Sequence, residues 1–259
     1  MTHFVYVYVK QGTMWDQVVE GDKIVQRGPT EIYYSILSIH KFFKGSKKIF
    51  CVGDNPKIRG VIHIPHKNIT KVSHPKAADS IAKLKIIANH PAINEDFVYM
   101  YDDIVLLKPC TEADLRVSRA IDLVISPGTY FTPGRGPSSK WKGFLMRTMT
   151  ILKSQGFPTW NYETHLPRWF NKSRVTEIIT KYGLEKADKN QMLFASLYFN
   201  NYEKEPGQVL VQKTNIKAGV YEPHQPKGLA KIVDGKLFLN YDNTGLNKHL
   251  KTYIKQILK

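Results

Sequence analysis

Apolar residues in the first half of the chain come in short dense runs separated by amphipathic stretches. Phe4 to Val9 alternates valine with aromatics and predicts a first strand, broken by Gln11-Gly12-Thr13. Pro29-Thr30-Glu31 then opens a predicted helix. Its apolar residues Ile32, Tyr33, Ile36, Leu37 and Ile39 recur close to the helical period, and Lys44-Gly45-Ser46 ends it. Ile49 to Asp54 and Val61 to Ile64 predict two more strands, and residues 76–90 a second helix. Strand, helix, strand, strand, helix and a further core strand make an α/β alternation with a mixed, mostly parallel central sheet flanked by helices.

That further strand is the run from Phe97 to Leu107. Five apolar or aromatic residues meet Asp102-Asp103, and four apolar residues follow. Carboxylates are almost never fully buried without a partner, so a pair of them within a core run calls for a cation or a ligand. Hard divalent cations such as Mn2+ and Mg2+ bind through one or two carboxylates completed by substrate phosphates. Asp103, with Asp102 beside it, is the candidate metal position. The plainer alternative is a strand ending in a solvated turn. Sheets of this kind bind ligands beyond the carboxyl ends of their strands. Neither GxGxxG nor a Walker A pattern occurs, which disfavours a dinucleotide fold and a P-loop.

Downstream the texture changes. Asp122 to Ser126 predicts a strand. Residues 127–143 hold four glycines, three prolines, Arg135, Lys140, Trp141 and Lys142. A loop of that length and composition suits an acceptor-binding lid, against the alternative of a bare surface loop. Helices are expected over 144–155, 173–182 and 187–202. Between the first two, Glu163, His165 and Arg168 stand among aromatics and prolines, where a histidine and a glutamate can supply a ligand, a base or a phosphate contact. A break near Glu203-Lys204-Glu205-Pro206-Gly207 divides a catalytic segment, 1–205, from a C-terminal extension, 206–259, expected to pack on the same domain. The extension carries predicted strands over 208–213 and 236–241. It ends in an amphipathic helix over 243–259, with Lys248, Lys251, Lys255 and Lys259 on one face.

Charge narrows the partners. The chain of 259 residues has 38 lysines and arginines against 22 acids, a formal charge of +16. Such an excess favours a polyanionic partner, whether nucleic acid, an anionic membrane surface or an acidic polymer, against the alternative of a basic but indifferent surface. The two cysteines, Cys51 and Cys110, lie in apolar surroundings and form no Cys/His cluster, so structural zinc is not indicated. Free thiols and the lack of a basic leader or a membrane-length apolar run give a cytoplasmic expectation.

Four ordered blocks carry a resemblance. Arg27 with Glu31 to Ile39, Phe50 to Pro56, Asn94 to Ile104 and Tyr162 to Pro167 resemble, in that order, segments of the Stealth family of sugar-phosphate transferases. Tyr101 stands where that family's third block usually has Asn. The resemblance covers roughly residues 1–180. It implies the GT-A fold, a nucleotide-sugar donor, a UDP-sugar favoured, and functional roles for Arg27 and His165. An Asp-x-Asp-type metal motif would have its third position on Asp103. The chemistry agrees: a leaving nucleoside diphosphate needs its charge offset, by a Mn2+ or Mg2+ at Asp103 and Asp102 and by Arg27 or Lys83. His165, Glu163 and Asp188 are the candidate bases for the acceptor hydroxyl. Size, charge and class also resemble the phage enzymes that glycosylate hydroxymethylated pyrimidines in DNA, with Arg135, Lys140, Trp141 and Lys142 as acceptor contacts. The alternatives are a transferase acting on a capsular or cell-surface polysaccharide, and a non-catalytic nucleic-acid-binding protein.

Overall fold

The computed structural model describes residues 1–10, 19–20, 23–24, 30–72, 74–121, 139–186, 191–203 and 216–259. Its centre is a five-stranded sheet in the order β5-β4-β1-β6-β8. Strands β1 (Thr2–Tyr8), β4 (Lys47–Gly53), β5 (Val61–Pro65) and β6 (Asp96–Met100) run parallel. β8 (Arg168–Asn171) lies antiparallel to β6 at one edge. The short strands β2 (Val19–Glu20) and β3 (Lys23–Ile24) pair with each other. The mostly parallel α/β architecture expected from the apolar pattern is the one observed.

The period of two in each strand decides which layer a side chain joins. Phe4, Tyr6 and Tyr8 of β1, Ile49 and Cys51 of β4, and Val98 and Met100 of β6 pack with Ile32, Ile36 and Ile39 of α1 (Thr30–Phe42). Val5, Phe50, Val52, Phe97 and Tyr99 face the other way. They meet Ile81, Leu84 and Ile87 of α2 (Pro75–Asn89), Ile178 and Ile179 of α5 (Lys172–Lys181), and Leu197 and Phe199 of α6 (Phe194–Tyr202). A sheet covered on both faces explains why its strands are almost unbroken apolar runs.

The run from Phe97 to Leu107 is not one strand. It divides into β6 and β7 (Ile104–Leu106), which belong to different sheets, with Tyr101-Asp102-Asp103 as the turn between them. β7 pairs antiparallel with β10 (Phe238–Tyr241), which pairs in parallel with β9 (Lys217–Val220). The other edge of β7 is held by a helix. Ser38 Oγ of α1 accepts from Leu106 N at 2.9 Å, and Ser35 Oγ donates to the carbonyl of Ile104. Helical hydroxyls thus stand in for a strand partner, and the two serines are fully buried.

Other boundaries move for local reasons. α3 (Glu112–Arg116) is a short capped turn: Thr111 accepts from Asp114 N and the Asp114 side chain accepts from Thr111 N. α4 (Ser139–Ser154) starts inside the stretch expected to be loop to residue 143. The expected helix over 187–202 is α6, beginning at Phe194. In the C-terminal part α7 (Pro226–Val233) precedes β10. α8 (Lys248–Leu258) starts at Lys248 rather than at residue 243, because the Asn247 side chain accepts from His249 N and Leu250 N and caps the first turn. The expected strands over 122–126 and 208–213 lie outside the described residues. Among the described residues, no helix is long and apolar enough to cross a membrane.

Candidate functional site

β1, β4 and β6 are parallel and in register, with Tyr8 beside Gly53 and Tyr6 beside Met100, so their carboxyl ends share one edge of the sheet. At that edge Asp54 Oδ2 accepts from Lys10 N at 2.7 Å and from Asn68 Nδ2 at 3.1 Å. Asp102 and Asp103 follow β6 at the same edge, where the chain turns away into β7.

Asp103 is the focus of what converges there. Its Oδ1 is buried and accepts no hydrogen bond within the described residues, while its Oδ2 lies 3.9 Å from His165 Nδ1. Burial, with repulsion from Glu31, pushes its carboxyl up to about 6, against the opposing pull of Asn240 and Lys217. β10 and β9 supply those neighbours: Asn240 Nδ2 donates to the Asp103 carbonyl at 3.4 Å, and Asn240 Oδ1 accepts from Tyr221 Oη at 2.7 Å. Lys217 Nζ donates to the Thr164 carbonyl at 2.6 Å, and burial lowers its ammonium to about 8.

His165 is aimed at Asp103 by its backbone. Its φ of 47° lies in the left-handed region, which histidine enters more readily than most residues. The turn leaves Leu166 on one side buried at 1% exposure and places the imidazole, its side chain 53% exposed, on the other. The ring stacks on Tyr101, centroids 5.2 Å apart and planes 27° from parallel. Desolvation of the ring, and then the cations of Lys217, Arg168 and Lys76, hold its pKa well below the ordinary value. The neutral imidazole keeps a lone pair on one ring nitrogen.

Under this pair runs a buried polar brace. Arg168 donates from Nη1 to Tyr101 Oη, and from Nη2 to the Tyr162 carbonyl at 3.2 Å and to Glu163 Oε2 at 3.0 Å. Glu163 Oε1 takes Ser196 N at 3.3 Å. Glu163, a candidate base on sequence grounds, is thus committed to Arg168. Tyr101, in the place where Asn is usual in the Stealth block, serves as the phenol that Arg168 grips and the platform on which His165 rests.

Lys83 does not fit the expectation that it offsets donor phosphates. It lies under the same edge of the sheet, committed to partners in the fold. Its side chain is 2% exposed, lies 2.6 Å from Asp79 Oδ2, and donates to the Tyr8 carbonyl and to Asn68 Oδ1. Gly53 lies against it at φ +120°. A Cβ there would meet the Tyr8 carbonyl at 2.2 Å and Lys83 Cε at 2.9 Å, so the close approach of these strand ends requires glycine. Arg27, Asp188 and Arg135 lie outside the described residues. Lys140, Trp141 and Lys142 fall in the first turn of α4, and the positions of their side chains are likewise outside the described set. Of the predicted positions, the structure brings Asp103 and His165 together, with Asp102 adjacent to Asp103 in the chain. It adds Lys217 and Asn240, which stand more than a hundred residues away from the aspartates in sequence and carry no motif.

The chemistry of the donors at Asp103 and His165 is that of a hard divalent cation's ligands, without a complete set among the described residues. The buried Asp103 oxygen and the imidazole near it are oxygen and nitrogen donors of the kind that Mn2+ accepts, and Asp102 follows as the neighbouring residue in the chain. Among the described residues no three His, Cys, Asp or Glu side chains form a ready cage.

No family model matches the chain, and no curated protein matches it. Solved structures do. It is similar to an active-site mutant of LgtC, with 8% identity, a TM-score of 0.49, and coverage of 99% of this chain and 95% of that one. The galactosyltransferase LgtC in complex with donor and acceptor sugar analogues gives 9% identity and a TM-score of 0.49 over the same shares. The glycosyltransferase GlyE of Streptococcus pneumoniae TIGR4 gives 11% identity and a TM-score of 0.46, over 99% of this chain and 60% of that one. These are likenesses of fold.

Proposed function

We propose that this protein is a nucleotide-sugar-dependent glycosyltransferase of GT-A type, acting on a hydroxymethylated pyrimidine base in DNA. One observation carries the transferase reading. Two adjacent carboxylates sit at the carboxyl edge of a parallel sheet, one with a buried oxygen that nothing in the described chain satisfies. Asp103 and Asp102 would hold a Mn2+ or Mg2+, with His165 beside them. Bound there, the ion supplies Lewis-acid stabilisation of the diphosphate as it leaves the sugar.

The chain's own groups do the positioning. Arg168 fixes Tyr101, and Tyr101 fixes the plane of His165, so the imidazole faces Asp103 without needing the ligand to order it. Lys217 brings a cation to the same cluster through the Thr164 carbonyl, where it can offset phosphate charge. The ordered motif blocks support a sugar donor. The formal charge of +16 supports a polyanionic acceptor, and a hydroxymethylated base gives DNA the hydroxyl that a sugar transfer needs.

The test is incubation with a panel of nucleotide sugars and Mn2+, with and without duplex DNA containing hydroxymethylcytosine, following nucleoside diphosphate release. Stimulation by the modified DNA and not by unmodified DNA supports the full reading. Stimulation by a glycan alone transfers the activity to a polysaccharide acceptor. Release with none of the donors refutes the transferase.

A further inference from the structure

Away from the carboxylates, a cavity of about 710 Å3 opens between α1, the segment after β4 and the last turn of α8. Its apolar walls come from α1, where Tyr33 and Leu37 share a face, and from Leu258. Four cations converge on it: Lys57, Arg59, Lys255 and Lys259. Among the described residues, no acidic side chain lines it. Tyr33 is 45% exposed, an unusual placement for a large aromatic beside the nearly buried Tyr34.

Cations in the last turn of a helix favour its dipole, which alone accounts for Lys255 and Lys259. It does not account for Lys57 and Arg59, which arrive from a segment almost 200 residues earlier, nor for an exposed tyrosine between them. Convergence of like charges is unfavourable unless an anion joins them. A groove of cations with an aromatic face is the physical recipe for a nucleic-acid strand, phosphates on the charges and a base on the ring. A bilayer surface would be met by protruding apolar side chains. Here Leu37, Ile58 and Leu258 are half-buried, and the exposed side chains are the four cations and the single ring of Tyr33.

We infer that this cavity is a second nucleic-acid subsite, holding a strand of the acceptor DNA by its phosphodiesters on Lys57, Arg59, Lys255 and Lys259 and by one base on Tyr33. The inference rests on the DNA-acceptor reading and adds where the strand is held.

The experiment measures binding of a fluorescent single-stranded oligonucleotide at several salt concentrations. It compares the wild type with Tyr33→Ala and with the double variant Lys255→Glu/Lys259→Glu. Each phosphate contact contributes about 0.7 to the log–log salt slope for single strands, so the double variant should lose about 1.4 of it. Tyr33→Ala should bind roughly tenfold or more weakly with its slope unchanged, as loss of one stacked base predicts. All three proteins should release nucleoside diphosphate from the donor alone at the same rate, because none of these residues belongs to the carboxylate site. DNA binding equal in all three overturns the subsite and leaves the DNA acceptor standing. A wild type that binds no single strand at low salt overturns the subsite, and one that also binds no hydroxymethylcytosine duplex overturns the DNA acceptor with it. Loss of binding to vesicles of anionic phospholipid in the variants, with DNA binding untouched, also overturns it and reassigns the groove to a membrane.

Discussion

Lys83 offers the sharpest separation between a residue that holds the fold and one that holds the ligand. Lys83→Met keeps the length of the side chain and removes its charge. In the folded protein the ammonium is 2.6 Å from Asp79 Oδ2, and the two side chains are 2% and 4% exposed. Removing one member of a buried pair costs about 3–5 kcal/mol, because the other charge stays behind without its counterion. Asp79 keeps Ile69 N at 2.9 Å and His66 Nε2 at 3.2 Å. The loss should therefore fall in the lower half of that range, about 3–4 kcal/mol. At about 2–4 °C per kcal/mol for a chain of this size, the melting midpoint should drop by about 6–16 °C. The double variant Asp79→Leu/Lys83→Met buries no charge, so it should recover part of the loss, with a coupling energy of about 1–3 kcal/mol. Thermal and urea unfolding give these values. Calorimetric titration with a nucleoside diphosphate and Mn2+, well below the midpoint, gives the second axis. The structure expects near-normal nucleotide affinity in the folded variant. A midpoint within about 2 °C of the wild type, with nucleotide affinity down about tenfold or more, would show that Lys83 serves the donor phosphates and would refute the argument from burial.

The remaining expectations follow from the same geometry. Asp103→Ala should abolish nucleoside diphosphate release while keeping the fold, and the rise in melting midpoint given by Mn2+ with a nucleoside diphosphate should vanish with it. A retained Mn2+ shift would rule out Asp103 as the ion's anchor. His165→Ala should lower turnover by about 10²-fold. His165→Asn should keep wild-type stability, since asparagine also tolerates φ near 47°; a stability loss in Asn equal to that in Ala, with full activity in both, would leave His165 a purely structural role. Burial pushes the Cys51 and Cys110 thiols up to about 12 from a reference of 9.0, so the folded protein holds them protonated where the unfolded chain ionises. Their contribution to stability is intact below pH 9 and falls above it. Thiol reagents at pH 8.5 should label the native protein only as fast as it unfolds, and rapid stoichiometric labelling would refute this.

How far the sequence reveals this molecule depends on how local each cause is. β1 and β4 are legible as dense apolar runs buried on both faces, and α1 and α2 by apolar residues recurring near the helical period. β8 is not. Arg168-Trp169-Phe170-Asn171 alternates, but it is only four residues long and its register comes from β6, where Phe97 faces Phe170 and Tyr99 faces Arg168. The split of the Phe97–Leu107 run is hidden for a related reason. Both halves are apolar because both are buried, and nothing in their composition says that they are buried in different sheets. Asp102-Asp103 between them reads as chemistry in the sequence, and in the fold it is also the topological break. The two readings are compatible, since a pair of carboxylates can be carried out of a core strand only where the strand ends.

The half of the site that sequence reasoning missed lies in the second sheet. Lys217 is one lysine in a chain rich in them, and Asn240 ends an apolar run without any motif around it. Their roles come entirely from the pairing of β7 with β10 and of β10 with β9, which joins the C-terminal strands to a segment more than a hundred residues earlier. Once β7 leaves the central sheet its backbone needs a partner, and β10 supplies it. With Leu239 opposite Val105 and Asn240 opposite Ile104, the strand delivers Asn240 to the Asp103 carbonyl. The neighbouring parallel strand begins at Lys217, whose ammonium closes on Thr164 beside His165. The same hydrogen-bond requirement that splits the central run therefore completes the polar surroundings of the carboxylates. Removal of the chain beyond residue 205 would strip Asp103 of Asn240 and Lys217, and leave β7 with only the hydroxyls of α1.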